Sequence, residues 1–461
     1  MKLINIKDIS HIYFIGIGGI GMSALARYFH SLNIRVSGYD KTASPLTREL
    51  EAAGMNIHYE DDLSKAPKDA NAVVFTPAIP ADHSELVFFR ENGYPVLKRS
   101  DVLQIISEHS FNICVAGTHG KTTISTMVAH ILRDTGYGCN AFLGGISSNY
   151  NTNFWSNERN VCVIEADEYD RSFLKLSPDI AIISAMDPDH LDIYGTAEEM
   201  ESAYIKFVRK IRIGGLLISR KGLTREKDLI ADKQMTYSLN NEQADAYADN
   251  LRVVDGSYVF DLVWKGERLD GLQLNVGGLH NVENMVAAVS VAMHLDVERE
   301  KIRHAVASFR GVKRRFEYIL KNDLVFIDDY AHHPEELRSL IKSVKMLYPN
   351  RKAVVVFQPH LFSRTKDLAD GFAEVLDLAD EVMLLPIYPA RELPVEGVTS
   401  KLISDRMRGC ETGHKVRLVE KEDVLKWAEL NRDSMKNKVL VTAGAGDIDR
   451  MLEPIKKTLT V

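Results

Sequence analysis

Short apolar runs with the character of buried strands alternate with helix-like segments along most of this chain, and this alternation constrains the fold more than any other feature. The runs include HIYFIGIG, NAVVFTPAI, FNICVAG, NVCVIEAD, DIAIISAM, LVFIDD, KAVVVFQ, EVMLLPI and KVLVTAG. Strands that are buried on both faces give continuous apolar runs, and helices between them are typical of parallel sheets. The sequence therefore predicts an α/β fold.

The length of the chain, 461 residues, predicts several domains rather than one core. The polar, helix-like segment SDVLQIISEH precedes a fresh buried strand, which puts the first boundary near residue 108. From about residue 236 to 276 apolar and polar residues alternate around DG and KG turns, as they do in hairpin strands. We expect domains at 1–108, 109–311 and 312–461, the central one with a parallel sheet and a small antiparallel sheet.

Composition and charge argue against several classes of function. A formal net charge of -7 provides no basic field for a nucleic-acid backbone, so we expect no nucleic-acid partner. The amino terminus MKLINIKDIS lacks the apolar region of a signal peptide, and the most apolar stretches are far shorter than a membrane span. We therefore expect a cytoplasmic protein with no membrane partner. The cysteines lack metal-ligand spacing and should be buried, reduced thiols; they are Cys114, Cys139, Cys162 and Cys410.

The stretch YFIGIGGIG contains the GxGxxG pattern of dinucleotide-binding enzymes, with Gly16, Gly18 and Gly21 after a strand. Asp40 ends the next strand-like run, IRVSGYD, where an acid can accept a hydrogen bond from a ribose hydroxyl. Taken alone, the pattern predicts an NAD(P) oxidoreductase. The plainer alternative is a tight turn with no ligand.

The most informative stretch is CVAGTHGKTTISTMVAH. A buried strand ends in Gly117, a tight loop leads to Gly120, and Lys121 and Thr122 open an apolar helix. Such a turn aims backbone N–H groups at phosphate oxygens, while a lysine can reach the terminal phosphates and a threonine can ligate Mg2+. The GxxxxGK[ST] pattern is incomplete because it would require glycine in place of Val115, and a structural turn is the plainer alternative. Two phosphate loops indicate two phosphate-bearing ligands, which a dehydrogenase does not need.

Acidic residues follow the strands that should flank this loop, and as a group they suit a divalent cation. Glu165 ends one strand-like run, and the other candidates near it are Asp167, Glu168, Asp187, Asp189, His190 and Asp192. Singly, each acid is also explained as a solvated loop charge. Since Mg2+ prefers oxygen ligands, coordination chemistry favours Asp189 over His190, and the residues alone leave that choice open.

Further polar side chains lie at strand ends and helix starts in the last third of the chain. They are His280, Asn281 and Asn284 in GLHNVENMVAA, Arg314 and Arg315 in KRRF, Asp328, Asp329, Tyr330, His332 and His333 in LVFIDDYAHHPEEL, and His360 and Arg364 in FQPHLFSRTKDL. The asparagines suit either a helix cap or a contact to a base. The arginines match a carboxylate or a phosphate, with a surface salt bridge as the alternative. The paired histidines suit a transition metal or an anion.

Together these motifs resemble one family, the ATP-dependent Mur ligases, and within it the members that add L-alanine. The matching runs follow the family's order over nearly the whole chain: GIGGIGMSALA, GTHGKTT, EADEYDRSFL, DHLDIY, LHNVENMVAA, RRFE, DDYAHHPEE, FQPHLFSRT, IYPARELPVEGVTS and AGAGDID. The resemblance implies a Rossmann-like amino-terminal domain for a UDP-sugar, a central P-loop-type ATPase domain, and a Rossmann-like carboxy-terminal domain for an amino acid.

The resemblance implies a reaction as well. ATP would activate the lactyl carboxylate of UDP-N-acetylmuramate as an acyl phosphate, and L-alanine would displace phosphate from it, in cytoplasmic peptidoglycan precursor synthesis. The cofactors would be ATP and Mg2+, with Mn2+ as a possible substitute, and the protein a monomer or homodimer. A ligase that attaches a whole tripeptide to the same sugar nucleotide is the alternative within the family. A non-catalytic nucleotide-binding regulator is the alternative outside it.

The resemblance also gives roles to residues that match the family's motifs. The UDP-sugar would contact Gly16, Gly18, Gly19, Gly21 and Asp40. ATP would contact Gly117, Thr118, His119, Gly120, Lys121, Thr122, Thr123, His280, Asn281, Asn284, Arg315 and Asp329. L-Alanine would contact Tyr330, His332 and Arg364. The metal ligands would be Thr122, Glu165 and His190, so the family pattern favours the histidine, and catalysis would rest on Lys121, Glu165 and His190.

One departure from the family affects the amino-acid site. The family often has arginine where this chain has Leu361, so its share of carboxylate binding must fall on Arg364 or on another residue. Several related ligases carry a carbamylated lysine in the region of Lys206, and we give this residue no role.

Overall fold

The structure, a computed structural model, describes residues 8–188, 191–390, 392–408 and 416–460. Its strands form three sheets and are β1 (His11–Ile15), β2 (Arg35–Tyr39), β3 (Asn56–His58), β4 (Ala72–Phe75), β5 (Val96–Lys98), β6 (Phe111–Ala116), β7 (Asn140–Ser147), β8 (Thr152–Trp155), β9 (Val161–Glu165), β10 (Ile180–Ile183), β11 (Leu216–Arg220), β12 (Lys233–Ser238), β13 (Ala246–Val254), β14 (Ser257–Trp264), β15 (Glu267–Leu274), β16 (Glu317–Lys321), β17 (Val325–Asp329), β18 (Lys352–Phe357), β19 (Glu381–Leu384), β20 (Val416–Leu418) and β21 (Lys438–Ala443).

Helices lie between most of these strands. They are α1 (Ile20–Ser31), α2 (Pro45–Ala52), α3 (Ser84–Glu91), α4 (Arg99–Glu108), α5 (Lys121–Asp134), α6 (Leu191–Tyr194), α7 (Ala197–Val208), α8 (Leu279–His294), α9 (Arg299–Ser308), α10 (Pro334–Leu347), α11 (Phe362–Asp367), α12 (Ala369–Leu376), α13 (Lys401–Ser404), α14 (Lys421–Asn431) and α15 (Leu452–Thr460). Proline starts α10, as the sequence predicts, because its missing N–H and fixed φ cost nothing in a first turn.

The first sheet has five parallel strands in the order β3-β2-β1-β4-β5. Every residue of β1 is buried. The strand order reverses at β1, so the glycine-rich loop between β1 and α1 lies at the switch point where open α/β sheets bind their ligands.

The second sheet has ten strands in the order β15-β14-β13-β12-β11-β10-β6-β9-β7-β8. β6 lies between β9 and β10 and is parallel to both, so the loop after β6 and the residues that end β9 and β10 meet at one edge. The expected hairpin strands are β13, β14 and β15, and they extend one side of this sheet. Both residues of each turn, Asp255–Gly256 and Lys265–Gly266, have positive φ, as type I′ hairpin turns require.

The third sheet has six strands in the order β16-β17-β21-β18-β19-β20. Only β16 is antiparallel to its neighbour among the strand pairs that the described residues form. Asp329 and Phe357 both pair with Ala443, so β17, β18 and β21 end at the same level. The polar residues that follow them are thereby brought to one edge.

The alternation of strands and helices in the sequence thus produces the α/β fold with parallel sheets that it predicts. Contacts divide the chain into two compact units: one comprises Met1–Asp249, Leu262–Asp270 and Glu283–Val306, and the other Asn250–Asp261, Gly271–Val282 and Ala307–Val461. The three domain boundaries stay a prediction. Among the described helices, none combines the length and the apolar character that crossing a bilayer demands.

The cysteines behave as the sequence predicts where the structure describes them. Cys114, Cys139 and Cys162 are buried and free. Burial raises the pKa of the Cys139 thiol to about 12 and that of Cys162 to about 11, so both stay protonated and unreactive at neutral pH. Cys410 lies outside the described residues.

Candidate active site

The loop between β6 and α5 is a tight turn in which two positions require glycine. Gly117 has φ 138°, and a Cβ there would lie 2.2 Å from the Ser184 hydroxyl oxygen. Gly120 has φ 84° and precedes the first residue of α5, and its Cβ would lie 3.1 Å from Asn284 Oδ1. Because α5 begins at Lys121, the N–H groups of its first turn have no partner within the helix and can meet an anion.

Two polar groups of this loop differ in their surroundings. The Thr118 hydroxyl is buried and has no hydrogen-bond partner among the described residues, although the Thr118 N–H donates to Ala185 O at 3.2 Å. The His119 side chain is exposed, while its carbonyl accepts a hydrogen bond from Ser184. Thr123, in the first turn of α5, is buried. The loop is therefore fixed by its backbone, and its side chains keep hydrogen-bonding capacity for a ligand.

Lys121 is oriented by a glutamate that has no exposed surface. Its ammonium donates to Glu168 at 2.8 Å and to the Gly117 carbonyl at 2.7 Å. Glu168 is 0% exposed, and the Tyr194 hydroxyl donates to its carbonyl oxygen at 2.6 Å. An ammonium has three donors, so two such bonds fix its rotation and leave one N–H for a phosphate.

Thr122 and Glu165 bring two oxygen ligands together beside this lysine. The Thr122 hydroxyl donates to Glu165 Oε1 at 3.1 Å, and the Gly144 N–H donates to Glu165 Oε2 at 2.9 Å. A Cβ on Gly144 would lie 2.3 Å from both carboxylate oxygens, so this position must be glycine for Glu165 to lie here. Hydroxyl and carboxylate oxygens are ligands that Mg2+ prefers, so the pair fits this ion.

The third expected metal ligand cannot be placed. His190 and its rival Asp189 lie outside the described residues, and Asp187, just before them, is exposed. Among residues 8–188, 191–390, 392–408 and 416–460, no three His, Cys, Asp or Glu side chains gather as a metal site would require. The choice between Asp189 and His190 stays a prediction.

The three residues expected near the adenine lie at the start of α8. Asn284 is buried and lies beside Gly120, in the same unit as the phosphate loop. Asn281 is buried too, and its side-chain amide donates to the Gly277 carbonyl at 2.6 Å, which braces the turn before the helix. His280 Nδ1 lies 3.5 Å from the Ser339 hydroxyl. A contact from any of them to the base stays a prediction.

The two arginines of KRRF have different surroundings. Arg314 is half-buried and bonds to the Gly444 carbonyl at 2.5 Å and to Asp328 at 3.4 Å, so it has a structural role. Arg315, the residue expected to contact ATP, is exposed. The Asp329 carboxylate accepts the N–H groups of Phe316 at 2.7 Å and of Ala331 at 2.8 Å.

Burial raises the pKa of Asp329 to about 7, against the opposing effect of these two N–H donors. Burial also raises the pKa of neighbouring Asp328, which is 0% exposed and accepts a hydrogen bond from the Thr442 hydroxyl at 2.6 Å. The strand end thus carries two carboxyls whose charge is costly. Asp329 fixes the local backbone through the N–H groups of Phe316 and Ala331, whereas Asp328 bonds to the side chains of Thr442 and Arg314.

The residues expected at the amino-acid site gather after β17 and β18. The rings of Tyr330 and His332 are 5.2 Å apart, and those of His332 and His360 are 6.1 Å apart. His360 also stacks on Tyr388, with 5.8 Å between centroids. Burial, followed by the charge of Arg364, lowers the pKa of His360. His360 was a candidate site residue in the sequence, but no ligand was assigned to it.

Arg364 and His360 each present a buried nitrogen without a hydrogen-bond partner among the described residues, Nη1 and Nδ1 respectively. Leu361, next to His360, has φ 69° and ψ 137°, a backbone conformation that costs a non-glycine residue free energy. Unsatisfied polar nitrogens beside a strained turn are typical of a binding site. Leu361, the position of the departure from the family's pattern, thus lies in the strained turn itself.

The first glycine loop is closed by its own hydrogen bonds. The N–H groups of Gly16 and Ile17 donate to the Tyr39 carbonyl at 2.7 and 3.0 Å, and Gly19 N–H donates to Gly16 O at 3.2 Å. Gly18 N–H donates to Asp40 Oδ2 at 2.8 Å. Asp40 therefore braces the loop, and the ribose contact expected of it stays a prediction.

A cavity of about 320 Å3 lies beside the first glycine loop and extends to the end of β9, within one unit of the chain. Its lining includes Gly21, Arg99, Gly144, Glu165 and Asp167. Sequence reasoning missed Arg99 because nothing in KRS marks it, and it treated Glu168 as one loop acid among several. The signal for Glu168 was its position three residues after Glu165 at the end of a buried strand.

Comparisons with known proteins show which family this chain belongs to. Three family models match the chain, described as "Mur ligase family, catalytic domain" at residues 11–111, "Mur ligase middle domain" at 115–292, and "Mur ligase, glutamate ligase domain" at 314–446. A Cytophaga hutchinsonii protein named UDP-N-acetylmuramate–L-alanine ligase is 49% identical, over 98% of this chain and 97% of that protein. A Porphyromonas gingivalis protein of the same name is 48% identical, over 97% and 98%.

Solved structures are similar over the whole length. UDP-N-acetylmuramate-alanine ligase from Thermotoga maritima is 29% identical with a TM-score of 0.79, covering 97% of this chain and 98% of that chain. A murein peptide ligase from Psychrobacter arcticus is 22% identical with a TM-score of 0.63 and 98% coverage of both chains, a likeness that concerns the fold alone.

Proposed function

Because this chain belongs to the Mur ligase family, we propose that it is an ATP-dependent ligase that joins L-alanine to the lactyl carboxylate of UDP-N-acetylmuramate. The product would be a precursor of peptidoglycan, and the proposed site of the reaction is the cytoplasm. The observation that carries the proposal is the full-length likeness to proteins named for this reaction. The phosphate loop, with the Thr122 hydroxyl bonded to Glu165, supports the ATP chemistry.

In the first step, a lactyl carboxylate oxygen attacks the γ-phosphorus of ATP, ADP leaves, and an acyl phosphate forms. Two anions must approach each other, so positive charge has to be in place beforehand. Lys121, with two of its donors engaged by Glu168 and Gly117, offers its third to the transferring phosphoryl group. Thr118, His119 and the first turn of α5 would hold the remaining phosphate oxygens.

Thr122 and Glu165 would hold Mg2+, or Mn2+ in its place, with His190 as the third ligand from the protein. The ion would neutralise phosphate charge as ATP is attacked. The support is the distance of 3.1 Å between the Thr122 hydroxyl and the Glu165 carboxylate, together with the space that Gly144 leaves for that carboxylate. Asn284 beside Gly120, together with His280, Asn281, Arg315 and Asp329, would contact the rest of ATP.

In the second step, the amine of L-alanine attacks the acyl carbonyl, and the tetrahedral intermediate expels phosphate to leave an amide. Arg364 and His360 offer buried, unpartnered nitrogens to the carboxylate of L-alanine, with Tyr330 and His332 beside them. In this arrangement His360 and Arg364 together bind the carboxylate that the family's arginine would otherwise help to bind. That arginine is replaced by Leu361 in this chain. Water must be excluded while the acyl phosphate exists.

We also propose that the functional domains are 1–108, 109–311 and 312–461. The support is that each range contains one complete sheet: β1 to β5 lie in the first, β6 to β15 in the second, and β16 to β21 in the third. The UDP-sugar would then bind at Gly16, Gly18, Gly19, Gly21 and Asp40 in the first domain.

The test is a coupled assay for ADP with each substrate left out in turn. We expect ADP and phosphate release only when UDP-N-acetylmuramate, L-alanine, ATP and Mg2+ are all present. ATP turnover that ignores both acceptor substrates would refute the proposal and favour a nucleotide-binding protein without ligase chemistry. A panel of L-alanine, glycine, L-serine and the stem tripeptide separates the alanine-adding reaction from the tripeptide-adding one. A preference for the tripeptide would overturn the choice of L-alanine.

A further inference from the structure

Arg99 lies over the first turn of α1, although it belongs to α4. It is the first residue of α4 and follows directly on β5. A Cβ built on Gly21 would lie 2.3 Å from Arg99 Nη1 and 3.0 Å from its Cζ. The missing side chain at Gly21 is therefore what allows the guanidinium to lie there.

The guanidinium of Arg99 forms a weak ion pair in the structure. Arg99 Nη2 lies 3.4 Å from Asp167 Oδ2, and the two side chains are 26% and 38% exposed. A partly exposed ion pair at this distance contributes little stability. The pair uses Nη2, whereas Nη1 is the nitrogen above Gly21. A planar guanidinium can therefore exchange this carboxylate for a second anion at small cost.

The loop itself has few donors left for such an anion. The N–H groups of residues 16 to 19 bond to oxygens of the protein, and one of these oxygens belongs to the Asp40 carboxylate. The remaining donors are those of the first turn of α1, which carries roughly half a positive charge. A diphosphate brings more negative charge than that, so the site requires a cation from elsewhere.

Arg99 is the one basic side chain among the described residues that line the 320 Å3 cavity beside this turn. We propose that Arg99 binds the diphosphate of the sugar nucleotide over the first turn of α1, and that Asp167 is its partner when the diphosphate is absent. The inference rests on the proposed function for the identity of the ligand. It adds a substrate-binding residue from a different helix to the glycine loop, and it explains why position 21 is glycine.

The test measures binding of uridine, UDP and UDP-N-acetylmuramate to the full chain by calorimetry, without ATP. In Arg99→Met we expect the Kd of UDP and that of UDP-N-acetylmuramate to rise by the same factor, about tenfold or more, because a charge-assisted phosphate contact is lost. Uridine, which has no phosphate, should bind as before. Gly21→Ala should reproduce the loss, since its methyl group displaces the guanidinium without removing the charge.

Arg35→Met is the matched control, because Arg35 starts β2 at the opposite edge of the same sheet and its side chain is 61% exposed. Its ligand affinities should equal those of the wild type. If Arg99→Met binds UDP as the wild type does, the inference is wrong and the proposed function stands. If only UDP-N-acetylmuramate weakens, Arg99 contacts the lactyl carboxylate instead, which also overturns it. If the wild type binds none of the uridine nucleotides, the proposed function itself fails.

Should Arg99→Met unfold, Arg99→Lys provides the same comparison with the charge kept. A point charge cannot make the two parallel bonds of a guanidinium, so the Kd of UDP should rise less than in Arg99→Met but still measurably. An unchanged Kd in a folded Arg99→Lys, together with an unchanged Kd in Gly21→Ala, would contradict the proposal.

Discussion

The two glycine loops of this chain occupy equivalent places, each between a buried strand and the start of a helix, yet they obtain their charged groups differently. The loop after β6 carries its cation within the motif, as Lys121. The loop after β1 has no basic residue of its own, and Arg99 reaches it from α4. The two sites also share a feature, because at each of them a glycine leaves space for a charged side chain of another element. Gly144 leaves space for Glu165, and Gly21 leaves space for Arg99.

This difference decides what a sequence motif can reveal. Where strand, loop, cation and helix are contiguous, the chemistry can be inferred from a dozen residues. Where the cation comes from another element, the motif describes only the backbone, which suits NAD, UDP or no ligand equally well. The first loop was ambiguous for this reason, whereas for the second a structural turn was the one alternative to a phosphate site.

The largest effect should come from removing the local cation. In Lys121→Met we expect kcat to fall by about 10²- to 10³-fold, as on loss of one preorganised electrostatic group. UDP binding at the first loop should survive, because its donors and Arg99 are untouched. ADP release and calorimetry with UDP measure the two loops separately.

The control is Lys206→Met, since Lys206 is exposed on α7 and we assign it no role in the site. Its kcat should equal that of the wild type. A loss of UDP affinity in Lys121→Met equal to its loss of kcat would contradict the independence of the two loops.

The next effect concerns the position of the Glu165 carboxylate. In Gly144→Ala the new methyl group would lie 2.3 Å from both Glu165 oxygens, so the carboxylate must move. We expect the Mg2+ concentration for half-maximal activity to rise by about 10- to 100-fold, the usual cost of disturbing the group that orients a ligand. Saturating Mg2+ should restore most of the kcat. If the Mg2+ dependence stays that of the wild type, Glu165 does not hold the ion.

A smaller effect should follow from weakening the group that orients Lys121. Glu168→Gln keeps the shape and a hydrogen bond but loses the charge assistance to the ammonium. We expect kcat to fall by about tenfold while the KM for UDP-N-acetylmuramate stays unchanged, as for a positioning residue. A structural defect would instead lower thermal stability and the affinity for both nucleotides. An unchanged kcat would show that Gly117 alone positions the lysine.

Much of the fold and part of the site follow from sequence because they depend on local pattern. Buried strands, the type I′ turns at Asp255–Gly256 and Lys265–Gly266, and the glycine at 120 are each fixed by a few neighbouring residues. The roles of Glu168 and Arg99 depend on burial and on distant contacts, which no short run encodes. Two adjacent arginines also look alike in sequence, yet Arg314 is engaged by backbone carbonyls and Arg315 is exposed.

The two loops also differ in the polarity of the buried side chains around the strands that precede them. Beneath the second loop β6 is apolar, apart from Asn112 near its start. Beneath the first loop the Tyr13 hydroxyl donates to Glu85 Oε2 at 2.5 Å, and His58 Nε2 lies 3.4 Å from Glu85 Oε1. Glu85 is 0% exposed, and burial raises its pKa to about 7.

The last expected effect concerns stability rather than activity, and it is a pH dependence that belongs to the first sheet. A carboxyl whose pKa is higher in the folded state binds its proton more tightly there, so its contribution is present at low pH and is lost as pH rises from about 4.5 to 7. Glu85→Gln removes this dependence. Over that range the free energy of unfolding of the wild type should fall relative to the variant by on the order of 3 kcal/mol. His58, whose pKa burial lowers, contributes with the opposite sign and is present in both proteins.

Urea unfolding at several pH values measures the difference, and Glu91→Gln, exposed on the same helix, is the control that should match the wild type. A wild type and Glu85→Gln with parallel pH profiles would mean that the pKa of Glu85 is not raised in the folded protein, and would contradict the prediction.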